Sequence, residues 1–411
     1  MARHRRSIAA GLVAGAAVLV AAWLPQTAQA APSAPPAPWP QAAANGAYSS
    51  FNPNETLVSL TSAPNLTWAH SFTARPVDPN GLGCGAGVAT APVTAGNRLY
   101  VVLSQRLFAF DLTTGATVWS RSLDDQAWAT YYTSLTIVGR RVILTSEDCV
   151  SQSDPSGAIT AYRASDGTQL WNTFVDPGPL HAAVSGNTLV YSGFEAGGGD
   201  VAAINLTDGS SAWTDWLPCW NPGNVVVVGG LAIVPACDPT DESLPRLEAH
   251  NLATGAVVWN RPGAWQLFRG DTDAATGHDV YVANAAGRLV DLNPLTGATR
   301  WSRPAANGVA AVAKSYLYTY CDAETLCALS RATGATVWTQ VVAEGPVAVA
   351  NGLVFVGGHW DPPLRVKDGS FVPIGLAGAA WTDDQSTVAV ANGRVITSSQ
   401  RIVDVYQVPG S

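Results

Sequence analysis

The chain is 411 residues long, 47% hydrophobic and 13% charged, with a formal net charge of −8. So much apolar material can bury a large core, and the acidic balance excludes nucleic acid and anionic lipid surfaces as natural partners. Six cysteines, with no Cys-x-x-Cys-His haem motif and no paired zinc-ligand spacing, point to three disulfides in an oxidising compartment.

The first 30 residues read as a cleaved secretory signal peptide. Arg3, Arg5 and Arg6 form a basic start, Ile8 to Leu24 an apolar run, and Ala28-Gln29-Ala30 a small-x-small cleavage site. The apolar run falls just short of a full membrane span, so a secreted, extracellular protein without a stable membrane anchor is expected. Cleavage removes three arginines and no acid, taking the net charge from −8 to −11. Residues 31–50, rich in Ala, Pro and Ser, read as a flexible leader, and 51–411 as a single folded domain.

From there on the chain is short strands separated by Gly, Asn, Asp and Pro. Eight apolar hairpins turn at Gly96-Asn97, Gly139-Arg140, Gly186-Asn187, Gly229-Gly230, Gly277-His278, Lys314-Ser315, Asn351-Gly352 and Asn392-Gly393. After each of the first six comes small-x-Asp/Asn-Leu-x-Thr-Gly-Ala-x-x-Trp, clearest at Ala109 to Trp119, Ala249 to Trp259 and Leu289 to Trp301. Weaker copies end at Trp171, Trp213 and Trp338, and in all six a glycine stands four residues before the tryptophan. Each unit is therefore strand A, a tight turn, strand B, a variable loop, strand C, a Thr-Gly turn and strand D. That is one propeller blade.

The reading is an all-β, eight-bladed propeller of four-stranded antiparallel blades. The last unit, Val388 to Val408, supplies three strands; Asn65 to His70 supplies the fourth, with Trp68 in the place of Trp119, and the ring has no free edge. Trp68, Trp119, Trp171, Trp213, Trp259, Trp301 and Trp338 are expected to form a girdle between blades, each burying about 200 Å². In blade 7 Pro373 stands where tryptophan is expected.

At these residues the chain resembles the quinoprotein-type repeat family, the eight-bladed propellers of the pyrroloquinoline quinone (PQQ) dehydrogenases and their non-enzymatic relatives, over roughly residues 57 to 408. Its arginine- and alanine-rich composition, with lysine only at Lys314 and Lys367, resembles that of actinobacterial proteins. The resemblance implies the fold and leaves the activity open, since the family holds alcohol and glucose dehydrogenases alongside an accessory propeller of outer-membrane protein assembly. Those dehydrogenases carry adjacent cysteines, a tryptophan platform, and Glu/Asn/Asp calcium ligands with an aspartate base. This chain has no adjacent cysteines and no run aligning with the calcium or base motifs. No catalytic or metal-binding residue is carried over, and no cofactor is expected. Nucleophile-elbow, zinc-helix and phosphate-loop motifs are absent as well.

Strand order places the A–B and C–D turns on one face and the B–C and D–A connections on the other. Most length variation falls on the second face, at 146–157, 193–200, 237–245 and 357–363. All six cysteines map there, with expected pairs Cys219–Cys237, Cys321–Cys327 and Cys84–Cys149. They either staple loops or stiffen a recognition surface. The D–A loops, directed at the central funnel, contribute Asp124, Asp125, Trp128, Tyr131, Tyr132, Trp220, Asn221, Trp265, Arg269, Asp271, Trp381, Asp383 and Asp384 as ligand-binding candidates; the alternative is that the aromatics plug the funnel. The expected function is a monomeric secreted scaffold that binds a protein, peptide or cell-wall glycan without catalysis. The alternative is a PQQ/calcium-dependent oxidoreductase or a carbohydrate-active propeller enzyme.

Overall fold

The computed structural model describes residues 37–73, 90–123, 130–148, 151, 153–195, 197–218, 223–271, 278–304, 308–357, 361–374, 387–399 and 401–411. They form eight four-stranded sheets within one compact unit, Pro35–Ser411. Blade 1 shows the pattern: strands A to D are Val93–Ala95, Arg98–Leu103, Arg106–Asp111 and Thr117–Ser122, each antiparallel to the next. Blades 2 to 6 repeat it. Inner strands such as Val226–Val228 and Val347–Ala350 are buried on both faces, which is why they read as unbroken apolar runs. Strand B of blade 2 divides its side chains by alternation, Val142 and Leu144 toward blade 1 and Ile143 toward blade 3. Among the described residues no helix is long and apolar enough to cross a membrane.

The ring closes as the sequence predicts. Thr67–Thr73 is the outer strand of blade 8 and pairs antiparallel with Ile402–Gln407. The residue that takes the tryptophan position there is His70. In blades 1 to 6 the tryptophan lies opposite one strand-C residue just before a register shift, and in blade 8 that place belongs to His70 opposite Val405. Trp68, two residues earlier, is 57% exposed, and its Nε1 donates to Ser71 Oγ at 3.1 Å.

The tryptophans do join blade to blade. A Cβ on Gly167 of blade 2, where φ is +70°, would lie 2.6 Å from Cε3 of Trp119 in blade 1. Only glycine permits that approach and that φ together. The same contact links Trp171 to Gly209, Trp213 to Gly255, Trp259 to Gly297, Trp301 to Gly334 and Trp338 to Gly369, while His70 covers Gly115. The indole N–H also crosses the junction: Nε1 of Trp119 donates to Ala164 O at 2.9 Å, Trp213 to Leu252 O at 2.9 Å, Trp259 to Pro294 O at 2.7 Å, Trp301 to Arg331 O at 2.7 Å and Trp338 to Val366 O at 2.9 Å. Trp171 Nε1 is buried without an acceptor.

The strand-C residue opposite each tryptophan is alanine in five blades (Ala109, Ala161, Ala203, Ala249, Ala328) and Asp291 in blade 5. Asn293, four residues before Gly297, caps the blade 5 turn as Asp111 caps that of blade 1. The blade 5 copy thus begins at Asp291, two residues later than its apparent match at Leu289, and has the same length as Ala109 to Trp119.

Residues 37–52 are not a leader outside the fold. The inner edge of each strand A leaves an N–H without a ladder partner, and this segment supplies the acceptors in blade order. Carbonyls of Trp39, Pro40, Gly46, Ala47, Ser49 and Ser50 accept from Thr94, Ile137, Val227, Gly270, Val312 and Val349 at 2.7–2.8 Å. In blade 3 the Gln41 side chain does both jobs, with Nε2 donating to Val184 O at 3.1 Å and Oε1 accepting from Val184 N at 3.2 Å. Asn52 completes the circuit: Nδ2 donates to Val390 O of blade 8 at 2.9 Å and to Ala37 O and Pro38 O at 3.1 and 3.3 Å. To follow so tight a ring the backbone turns left-handed at Ala43, Ala44, Tyr48 and Ser50, with φ from +51° to +76°.

Two further expectations change. Strand A of blade 5 ends at Gly270 and strand B begins at Val280, so no two-residue turn stands there. The stretches 193–200 and 237–245 belong largely to extended B–C hairpins, Thr188–Glu195 with Gly198–Asn205 and Leu231–Asp238 with Asp241–Asn251.

Candidate functional site

Of the sequence-predicted candidates, Asp124, Asp125, Trp128, Trp220, Asn221, Trp381, Asp383 and Asp384 lie outside the described residues. Tyr131 lies on strand A of blade 2, paired in register with Glu147. Tyr132 is packed between blades 1 and 2. Trp265 opens strand A of blade 5, half-buried, with the Arg261 guanidinium 4.6 Å from its ring centroid. Arg269 is committed to the ring, donating from Nε to Val309 O at 2.7 Å and from Nη1 to Tyr48 O and Ser50 Oγ at 2.5 and 2.9 Å. Burial pulls its pKa down to about 10. Asp271 falls in the A–B connection, on the opposite face, and its Oδ2 pairs with Arg331 Nη2 at 2.6 Å. The last three residues are therefore not brought together as one pocket.

Aromatic and acidic side chains do meet on the variable face, at the junction of blades 2 and 3. Asp154 of the blade 2 B–C loop, Asp176 of the following D–A connection and Glu195 at the blade 3 B–C hairpin have ligand oxygens within 4.8 Å of one another. Beside them Trp216 is 48% exposed, opposite Asp200 in register, its ring against Gly198. Asp215 reaches His250 of blade 4 at 3.5 Å, so strand alternation turns Trp216 toward blade 2. Phe174 at the end of the neighbouring outer strand is 70% exposed.

The electrostatics follow from this crowding. Burial, then the charges of Glu195, Asp215 and Asp176, raises Asp200 to about 6. Glu147, buried at the end of strand B in blade 2, is raised to about 7 by burial and by Asp148. The three clustered carboxylates are the described residues that could hold a hard cation through oxygen ligands. Sequence reasoning missed all of these. Trp216 stands three residues past the motif tryptophan Trp213, and the acids come from three separate connections that only the fold unites.

Cys321 and Cys327 form the expected disulfide across the blade 6 B–C turn, with Cα atoms 5.9 Å apart. Cys237 is also disulfide-bonded. Cys84, Cys149 and Cys219 lie outside the described residues.

Toward the A–B end of the inner strands Trp39, Ala44, Ala47, Ser49 and Ser50 are buried, Trp39 and Ala47 within the cores between blades, and Arg269 holds the segment through Tyr48 O and Ser50 Oγ.

A family model described as "Outer membrane protein assembly factor BamB" matches residues 54–217, 155–309 and 304–408. No curated protein matches the chain. Among solved structures, BamB from Moraxella catarrhalis is similar at 17% identity and a TM-score of 0.58, over 84% of this chain and 98% of that one. The quinohemoprotein alcohol dehydrogenase of Comamonas testosteroni is similar at 13% identity and a TM-score of 0.63, over 91% and 81%. A europium-containing methanol dehydrogenase is similar at 12% identity and a TM-score of 0.62, over 91% and 98%. Such identities show the fold alone. Matched over nearly all of its folded length, the chain belongs to the BamB-type, PQQ-like β-propeller family.

Proposed function

We propose that this chain is an exported binding scaffold whose variable loop face takes up a basic peptide or protein segment at the junction of blades 2 and 3. The observation that carries the reading is Trp216, half-exposed beside Asp154, Asp176, Glu195 and Asp200. An aromatic plane next to several carboxylates suits a cationic side chain, through cation–π contact and charge together. Membership in a family named for an assembly factor supports a scaffold, as does a segment of the chain itself that ties together the inner strands. The Cys321–Cys327 disulfide fits an oxidising compartment, and a cleaved signal peptide over residues 1–30 would deliver the chain there.

The test is a fluorescence titration with arginine- and lysine-rich peptides against composition-matched acidic ones. Basic peptides should bind, and Trp216→Ala or the double variant Asp176→Asn/Glu195→Gln should weaken them at least tenfold with unchanged melting temperature. Binding that ignores both variants, or that favours a neutral glycan, would overturn the assignment.

A further inference from the structure

On the opposite face, blade 2 departs from the repeat in its charges. The A–B turn of blade 2 is Gly139-Arg140 followed by Arg141. At the position of Arg140, blades 1 and 3 carry Asn97 and Asn187, and blades 4, 7 and 8 carry glycine. Arg141, first in strand B, lies directly opposite Arg163, last in strand C. The corresponding pairs elsewhere are Arg98–Asp111, Thr188–Asn205, Leu231–Asn251, Tyr316–Ser330, Leu353–Arg365 and Arg394–Gln407. Blade 2 alone among them sets two like charges face to face, an arrangement that destabilises a strand pair.

These residues line a cleft of about 1000 Å³ between blades 1 and 2. Arg98, Arg140, Arg141 and Arg163 all face it, over the apolar body of Tyr100 and the exposed Leu170. Arg98 pairs with Asp111 at 2.5 Å and Arg163 with Asp166 at 3.0 Å. Among the described residues, no ion pair or side-chain hydrogen bond engages Arg140 or Arg141. Four guanidinium groups against two carboxylates, in a chain of net charge −8, is a local reversal of sign. Local rules are broken at sites where a ligand restores the balance.

We infer that this cleft binds a compact anion bearing two or more phosphate or carboxylate groups. Planar guanidinium forks match both groups in bidentate fashion, and an anion between Arg141 and Arg163 removes their repulsion. The acidic remainder of the molecule repels extended polyanions, which favours a small multivalent one. This site is separate from the loop-face site, with different residues and an opposite ligand charge, so either reading can fail alone.

Isothermal titration calorimetry with inorganic tripolyphosphate and with citrate at low salt tests the inference. The unmodified protein should bind at least one of the two, more weakly as salt rises. Arg140→Ala/Arg141→Ala should lose at least tenfold in affinity, Arg140→Lys/Arg141→Lys should retain part of it, and Arg401→Ala, an exposed arginine elsewhere, should change nothing. Binding of only one probe assigns the anionic group. Without ligand, Arg141→Gln should raise the melting temperature, because it removes the facing charge. Absence of binding to both probes, or an equal loss in Arg401→Ala, would overturn the inference.

Discussion

Asp291 stands where five other blades place alanine, opposite Trp301 and only 1% exposed. Burial raises its carboxyl to about 7 against an ordinary 3.8, with the Arg331 charge acting in opposition. The folded state therefore holds a proton there that the unfolded chain has lost. That contribution to stability is complete below about pH 4 and disappears as pH rises through 7. Asp291→Ala should stabilise the protein at pH 8 by on the order of 2 kcal/mol, visible as a melting temperature a few degrees higher, with little effect at pH 4.5. An equal shift at both pH values would mean that packing, and not the carboxylate, is responsible. At this level the sequence was legible wherever one residue type recurs at one spacing, as with Gly167 and Trp119. It misled where a register shift moved the position by two, so that Trp68 concealed His70 and Asp291 passed for the turn-capping residue.

The segment 37–52 shows why elements that borrow their order are hard to read. A strand announces itself by alternation because its own two faces differ. This segment takes its hydrogen bonds one at a time from eight different blades, so no period of its own is needed and its Ala, Pro and Ser content resembles a linker. Its anchors are nonetheless specific. A Cβ on Gly46 would lie 2.4 Å from Val184 O, and Asn52 serves three carbonyls, two of them buried. Removing the Asn52 amide leaves them unpaired, at a cost of about 1–3 kcal/mol. Asn52→Ala and Gly46→Val should each open residues 37–55 to limited proteolysis while the blades stay protected. Unchanged protease resistance in both variants would show that the segment does not depend on these contacts. The hairpins, by contrast, were legible almost throughout, because Gly and Asn at turn positions carry their own backbone preference. Blade 5 was the exception, its Gly277-His278 sitting within a longer connection.

The ring as a whole was the most legible feature, since six repeated motifs and eight hairpins count the blades and leave one strand for the N-terminal segment to supply. The loop face was much less so. Its residues occur once each, and Asp154, Asp176, Glu195 and Trp216 belong to four different segments with no shared period. The same architecture serves assembly factors and quinone enzymes alike, and the difference between them rests on what the axis and the loops hold. Here the chain's own residues 39–52 bond the inner strands of all eight blades, and the loop face offers an aromatic plane among acids. Titration of the purified protein with saturating PQQ and calcium, read by absorbance and thermal melting, separates the two possibilities. A scaffold leaves both signals unchanged; a stoichiometric cofactor chromophore with a raised melting temperature would contradict it.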